Sequence, residues 1–187
     1  MFVDACFINN NEIMVVLINR IQFLDIINME WTHEITNYYN NRQAGRATRY
    51  EQSSQDLICN LNDNLYLIGG DNKFYIIDVI RHEIQSIINL ENEKIIIKNI
   101  KKDLNNKIYV LMDNNYQYMK DYYTAYDYFC VYTYGNNRLE KISEMKEKNK
   151  KITLFEKLSN NQVAFVMSLY DSFFGYDRST YIKILGL

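Results

Sequence analysis

The sequence has no proline and only 6 glycines among its 187 residues. An average protein of this length has about nine prolines, at a usage of about 5%. Proline codons are rich in GC, whereas the codons of Asn and Ile, which are both abundant here, are rich in AT. We interpret the lack of proline as the mark of an AT-rich genome. The one glycine pair, Gly69-Gly70, is not part of a GxGxxG or GxxxxGK pattern, so the sequence shows no phosphate-binding loop.

An excess of charge and long apolar runs are also missing. The net charge is −2, without the basic footprint of a nucleic-acid-binding protein, so we predict no nucleic-acid partner. The longest apolar runs, such as 14–18, are far shorter than the roughly 18 residues of a membrane-spanning helix, so we predict no membrane span. The N-terminus carries Asp4 and no basic region, which makes it a poor secretory signal.

Cysteine and histidine are scarce. Cys6, Cys59 and Cys130 are an odd number without metal-like spacing, which favours a reducing compartment and predicts an intracellular, cytoplasmic location. His33 and His82 are the only histidines, and neither has a second His or a Cys at ligand spacing. We therefore predict no metal and no cofactor. No nucleophile elbow or other catalytic constellation is present, so we also predict that the chain is not an enzyme.

What the sequence does contain is apolar, aromatic and repetitive. Hydrophobic residues make up 48% of the chain and aromatic residues 14%, with 17 Tyr and 9 Phe, a composition that favours β-strands. An Asn-rich turn followed by an apolar strand occurs four times, and the strands begin at Ile13, Leu65, Ile108 and Val163. A period of roughly 40–50 residues built from strands is typical of β-propeller blades.

The second repeat shows the pattern most clearly. Apolar strands are predicted over 56–61, 65–68, 73–79 and 83–88, and turns over 62–64 and 69–72 separate the first three. We predict that Gly69-Gly70-Asp71-Asn72 forms a hairpin turn that needs positive φ, which Gly and Asn tolerate. Four short strands with a turn about every ten residues form one antiparallel blade.

The other repeats follow the same order. The approximate repeats are 1–40, 51–92, 94–146 and 151–187, and the fourth is one strand short. We therefore predict an all-β chain that forms a partial β-propeller of about three and three-quarter four-stranded antiparallel blades in a single domain. A β-sandwich or β-barrel is the alternative, because the same strand spacing permits it.

Particular residues of the second repeat resemble the WD-repeat family. The stretch from Gly69 to Asp78 is similar to the end of a WD repeat, where a glycine-rich turn leads to an apolar strand that closes on Trp-Asp. Here Ile77 stands in the Trp place and Asp78 keeps the Asp; Leu24-Asp25 fills the same place in the first repeat. The resemblance implies a divergent WD-like propeller, and it implies a rigid platform for protein partners.

The number of repeats raises the question of how the ring closes. Propellers typically have four to eight blades, and an open arc has unpaired ends. In one interpretation the chain is a segment of a longer protein, and in a second another chain or copy completes the ring. Alternatively, the stretch Phe2–Phe7 supplies the missing strand of a small four-bladed closure.

Two segments are candidates for contact with partners. A Tyr-rich insertion lies between the second and third strands of the third repeat, where tyrosines favour an interface, although a solvent-exposed strand face is the simpler interpretation. The connector 40–50 carries three arginines that suit an acidic partner, but a solvated connector is favoured. The candidate interface residues are Tyr116, Tyr118, Tyr122, Tyr123 and Tyr126.

We predict a structural turn role for Asp25 and Asp78, because they occupy equivalent places in the first two repeats.

Three functions fit these features. The leading hypothesis is a non-catalytic protein-binding platform, either a scaffold or an assembly subunit. The second is a structural subunit of a large eukaryotic complex. The third is a propeller enzyme with its active site in the central channel, which the two histidines make less favourable.

Overall fold

The computed structural model describes residues 2–38, 56–90, 95–113, 126–148, 150–158, 162–169 and 180–186. These residues form fifteen β-strands in four antiparallel sheets, and no helix occurs among them. We call the sheets blades 1 to 4 in chain order. In each blade the strands are hydrogen-bonded in the order in which they occur along the chain.

Blades 1 and 2 each have four strands. Blade 1 comprises β1 (Phe2–Phe7), β2 (Glu12–Leu17), β3 (Ile21–Asp25) and β4 (Glu30–Ile35). Blade 2 comprises β5 (Ile58–Asn62), β6 (Leu65–Gly69), β7 (Lys73–Asp78) and β8 (Glu83–Asn89).

Blade 3 also has four strands, whereas the described part of blade 4 has three. Blade 3 comprises β9 (Ile96–Lys102), β10 (Lys107–Asp113), β11 (Tyr126–Gly135) and β12 (Arg138–Lys148). Blade 4 comprises β13 (Lys150–Lys157), β14 (Gln162–Leu169) and β15 (Thr180–Gly186). The prediction of an all-β partial propeller is confirmed.

The N-terminal strand does not close the ring as one of the sequence alternatives proposed. β1 pairs antiparallel with β2, with Phe7 opposite Ile13, rather than with a strand of blade 4. The Asn-rich turn 8–11 is short, so a hairpin with β2 costs little loop-closure entropy, whereas a pairing with blade 4 would close a loop of most of the chain.

The core lies between the blades rather than within one sheet. Three clusters of buried side chains occupy the junctions between blades 1 and 2, blades 2 and 3, and blades 3 and 4. Alternate residues of a strand point to opposite faces, so each inner blade contributes one apolar face to each neighbour. In β6, for example, Leu67 packs towards blade 3 while Tyr66 and Ile68 pack towards blade 1.

The turn between the third and fourth strands has the same structure in blades 1 and 2. The Oδ1 of Asp25 accepts hydrogen bonds from the N–H groups of Ile27 and Asn28, at 2.8 and 3.2 Å. The Oδ1 of Asp78 accepts equivalent bonds from Ile80 and Arg81, at 2.9 and 3.0 Å. The residues four positions after each aspartate have positive φ: 56° at Met29 and 52° at His82.

The left-handed residue of the hairpin turn 69–72 is Asn72, with a φ of 56°, and neither glycine lies in the left-handed region. A Cβ at Gly69 would lie 2.7 Å from the Cγ2 of Ile97 in the next blade. Gly69 is therefore explained by a close approach of blade 3, which the sequence of the hairpin alone does not show. A Cβ at Gly70 would instead lie 3.1 Å from the ring of Tyr75, in the same blade.

Candidate functional site

Buried acidic side chains connect neighbouring blades. The carboxylate of Asp127, on β11, accepts a hydrogen bond from the N–H of Ile152 on β13, and its Oδ1 lies 3.6 Å from the Nζ of Lys98. Burial raises the pKa of Asp127 to about 6, although Lys98 and the Ile152 N–H lower it. Similarly, the Oδ2 of Asp4, on β1, accepts a hydrogen bond of 2.8 Å from the N–H of Leu57, which immediately precedes blade 2.

Ion pairs on two largely buried carboxylates, Asp103 and Glu147, add to the junction between blades 3 and 4. Burial alone would raise the pKa of Asp103, but the hydrogen bonds from Lys157, the Lys107 N–H and the Tyr109 hydroxyl outweigh it, so the pKa is lowered. Glu147 is held by Lys183 and by Lys150, the latter at 3.0 Å. These contacts fix the blades relative to one another, which gives the rigid frame on which a binding surface depends.

The face of blade 1 that points away from blade 2 carries an apolar row of side chains beside a row that ends in the polar pair Gln22 and Glu34. Met14 and Val16 pack on blade 2, so Ile13 and Val15, their neighbours on β2, point to the opposite side. A row of cross-strand partners runs across this side and consists of Phe7, Ile13, Leu24 and Trp31. The two outer members are exposed, Phe7 by 65% and Trp31 by 56%.

Blade 4 presents a similar face on the side that points away from blade 3. Phe165 and Met167 are buried against blade 3, so Val166 points to the other side. Val166 lies between Leu154 and Ile182 in the strand register, and Ile182 is 70% exposed. Glu156, Ala164 and Ile184 form the next row, in which Ile184 is 55% exposed and Glu156 pairs with Lys101 of blade 3. We call these two surfaces the blade 1 end face and the blade 4 end face.

A carboxylate and two imidazoles meet at the junction between blades 1 and 2. Glu12 begins β2, His33 lies in β4, and His82 ends the turn that precedes β8. The two imidazole rings are stacked, with 3.7 Å between their centroids and 3° between their planes. The Nε2 of His82 lies 3.3 Å from the Oε1 of Glu12. One possible ligand atom from each of the three lies within 4.8 Å of the others.

The sequence gives little sign of this cluster. His33 faces blade 2 because a β-bulge at Thr32 shifts the register: Phe23 is opposite His33, whereas Leu24 is opposite Trp31. His82 stands where the first repeat has Met29. The one available signal is that residues about one repeat apart meet where two blades pack together.

The candidate residues from the sequence lie in different places. Tyr116, Tyr118, Tyr122 and Tyr123 lie outside the described residues, as does the side chain of Tyr126, the first residue of β11. The connector 40–50 also lies outside them. Asp25 and Asp78 lie in turns on blades 1 and 2, and neither belongs to the cluster of Glu12, His33 and His82.

No helix in the described part of the chain is long and apolar enough to cross a lipid bilayer.

The three cysteines are free thiols, and Cys59 and Cys130 are buried. Burial raises the pKa of each of the three thiols to about 12, so none is a reactive thiolate near neutral pH.

Known protein structures share this architecture. The chain is similar to the β-propeller domain of Cps50 (Swd1) from Myceliophteria thermophila, with a TM-score of 0.55 and 12% identity over 95% of this chain and 57% of that one. It also matches Hsv2 from Kluyveromyces lactis, with a TM-score of 0.46 and 11% identity over 92% of this chain and 46% of that one. The chain thus spans about half the length of the solved structures it matches.

The sequence comparisons found no relatives. No protein-family model matches the chain. The search of curated proteins gave no significant match either. The fold is therefore established by structure alone: the chain is a partial β-propeller.

Proposed function

We propose that this protein is a non-catalytic protein-binding platform that works as an assembly subunit inside the cell. The observation that carries the proposal is the pair of apolar end faces, because inner blades bury the equivalent faces against their neighbours. Large exposed apolar patches on a folded protein are typical of interaction sites. The free thiols support an intracellular location, since disulfides are rare in reducing compartments.

The partner that we propose for the end faces is a second copy of this chain. One chain provides about three and three-quarter blades, so two copies provide about seven and a half, within the four to eight blades of known propellers. The chain also corresponds to 57% of the Cps50 propeller domain, slightly more than half a ring. Two-fold symmetry would place each blade 4 end face on the blade 1 end face of the other copy and close the ring.

The two end faces are suited to this packing. The blade 1 end face has aromatic side chains at its margins, Phe7 and Trp31, whereas the large exposed apolar residues of the blade 4 end face are aliphatic: Leu154, Ile182 and Ile184. The junctions within the chain combine aromatic and aliphatic residues in the same way, as where Phe129 and Phe165 meet Val163 and Ile152.

The experiment is a measurement of mass by light scattering during size-exclusion chromatography, over a range of protein concentrations. We expect a dimer for the natural chain and a monomer for Ile184→Glu, since a charge in an apolar interface lacks a partner. The matched control is Ile87→Glu, on the outer strand β8 of an inner blade, where the side chain is 48% exposed and lies on neither end face. This control should remain a dimer.

A natural chain that stays monomeric at every concentration would contradict the second copy as the partner. A dimer that Ile184→Glu leaves intact, with the circular dichroism unchanged, would contradict the blade 4 end face as the contact.

The part of the Tyr-rich insertion that precedes β11, residues 114–125, is the proposed contact for a further protein partner. An insertion on the rim of a rigid scaffold is a suitable binding loop, and tyrosine combines apolar area with a hydrogen-bonding group. Deletion of 116–125 should leave the melting temperature nearly unchanged and abolish capture of the partner by the immobilised protein. A deletion variant that no longer folds would show that the segment belongs to the core.

A further inference from the structure

The cluster of Glu12, His33 and His82 joins two blades that are separate in the sequence. Glu12 and His33 belong to blade 1, and His82 belongs to blade 2. His82 has a φ of 52°, in the left-handed region that favours Asn, Asp and Gly, so its backbone is fixed by the turn that Asp78 organises. The side chain of His82 therefore projects from blade 2 towards blade 1 at a defined point.

Two neighbouring groups orient the ligands. The ring of Phe23 contacts His82 edge-on, with 4.5 Å between centroids and 84° between planes, which limits rotation of the imidazole. The hydroxyl of Thr32 lies 3.5 Å from the Oε1 of Glu12, at the outer limit of a hydrogen bond. Groups of this kind, one shell beyond the ligands, set the orientation and affinity of metal sites.

The distances between the ligand atoms, though not the orientation of the two rings, are close to those of a three-residue metal site. Zinc binds His nitrogen at about 2.0–2.1 Å and carboxylate oxygen at about 2.0–2.2 Å, which places tetrahedral ligand atoms about 3.4 Å apart. The Glu12–His82 distance is 3.3 Å, and all three ligand atoms lie within 4.8 Å of one another. The stacked rings must tilt away from parallel so that both nitrogen lone pairs point to one ion.

The chemistry of the ligands selects the ion. Two imidazoles and one carboxylate suit Zn²⁺ and similar transition metals, whereas Ca²⁺ and Mg²⁺ prefer sites made of oxygen atoms. Glu12 and His82 are half-buried and His33 is exposed, so the cluster opens to solvent on one side. A water molecule can therefore take the fourth position.

We propose that Glu12, His33 and His82 bind one Zn²⁺ ion that cross-links blades 1 and 2. The ion would use one nitrogen from each imidazole, one carboxylate oxygen and one water. Because two of the ligands come from blade 1 and one from blade 2, binding requires the folded junction and stabilises it. This proposal does not depend on the partner of the end faces.

The test uses the full chain, first stripped of metal by a chelator that is then removed. Zn²⁺ is titrated by isothermal calorimetry, and Co²⁺ is added separately, because its visible absorption bands report tetrahedral coordination by nitrogen and oxygen. The variants are His82→Asn, which suits the left-handed backbone, and Glu12→Gln, which keeps the size of the side chain. The matched control is Glu34→Gln, a carboxylate on β4 outside the cluster.

We expect one Zn²⁺ per chain in the natural protein and in Glu34→Gln, and an affinity at least about 100-fold lower in both cluster variants. We also expect added Zn²⁺ to raise the melting temperature of the natural chain but not of His82→Asn. Natural chain that binds no zinc would overturn the proposal. Equal binding by folded His82→Asn, or a cobalt spectrum with the intense near-ultraviolet band of thiolate ligands, would overturn it as well.

Discussion

The buried carboxyl of Asp127 makes the junction between blades 3 and 4 sensitive to pH. Asp127 is only 4% exposed. The Nζ of Lys98 lies 3.6 Å from the Oδ1 of Asp127 and 2.7 Å from the Oδ2 of Asp113. Burial raises the pKa of Asp127 from 3.8 to about 6. The folded chain therefore holds this proton more tightly than the unfolded chain does.

The direction and size of the effect follow from this difference. The stabilisation from Asp127 is fully present below the unfolded pKa of 3.8 and is lost as the pH rises through about 6. One pKa unit corresponds to about 1.4 kcal/mol, so the full effect is about 3 kcal/mol. When the pH is lowered from about 7.5 to about 5, the two pKa values give an increase of about 1.4 kcal/mol in the free energy of unfolding.

The substitution Asp127→Asn should remove this dependence. An asparagine oxygen can still accept the hydrogen bond from the Ile152 N–H, but it does not titrate. Urea unfolding at pH 7.5 and pH 5 gives the free energy of unfolding of each variant. The natural chain should gain about 1.4 kcal/mol more than Asp127→Asn when the pH is lowered, or about 3–6 °C in melting temperature for a chain of this size.

A matched control is Asp103→Asn, at the same junction. Its pKa is lowered, so its contribution is present above the unfolded pKa and is lost only as the pH falls through the folded value. Asp103→Asn and the natural chain should therefore respond equally between pH 7.5 and pH 5. If Asp127→Asn also responds as the natural chain does, the raised pKa of Asp127 is refuted.

Two further substitutions test the packing and the turns. Gly69→Ala should destabilise by about 1–3 kcal/mol because its Cβ would meet Ile97 at 2.7 Å, whereas Gly135→Ala, with nothing within 4 Å, should stay within about 0.5 kcal/mol in urea unfolding. Equal values for the two would contradict the close approach of the blades. Asp78→Ala should cost about 1 kcal/mol, since two backbone N–H groups lose their acceptor, and an unchanged melting temperature would argue against this role.

Much of the fold was predictable because its signals are local. Strand periodicity and Asn-rich turns lie within each hairpin, and each strand pairs with its neighbour in the sequence. The assignment of Phe2–Phe7 was left open, since an isolated apolar segment can pair with either end of the ring. The need for a glycine at position 69 is likewise not visible within one hairpin, because it comes from Ile97, which belongs to another repeat.

The candidate sites were much less predictable. His33 and His82 stack only because a bulge turns one side chain and a turn places the other, and neither feature is readable from residue spacing. The sequence also does not show which apolar residues lie on the two end faces. Val15 and Val16 are alike in the sequence, but Val16 packs on blade 2 while Val15 faces away from it. The candidate Tyr116 lies outside the described residues and stays a prediction.

Every hydrogen-bonded ladder in the described structure joins strands that follow one another in the chain. Such a topology has low contact order, which favours rapid folding of each hairpin before the longer-range contacts form. It also makes the stability of the array approximately the sum of unit and nearest-neighbour terms. A unit with two neighbours is then held more firmly than a terminal unit with one. In the Ile184→Glu monomer, where blades 1 and 4 have one neighbour each, backbone amides of β1 and β15 should consequently exchange with solvent deuterium sooner than those of β6 and β10.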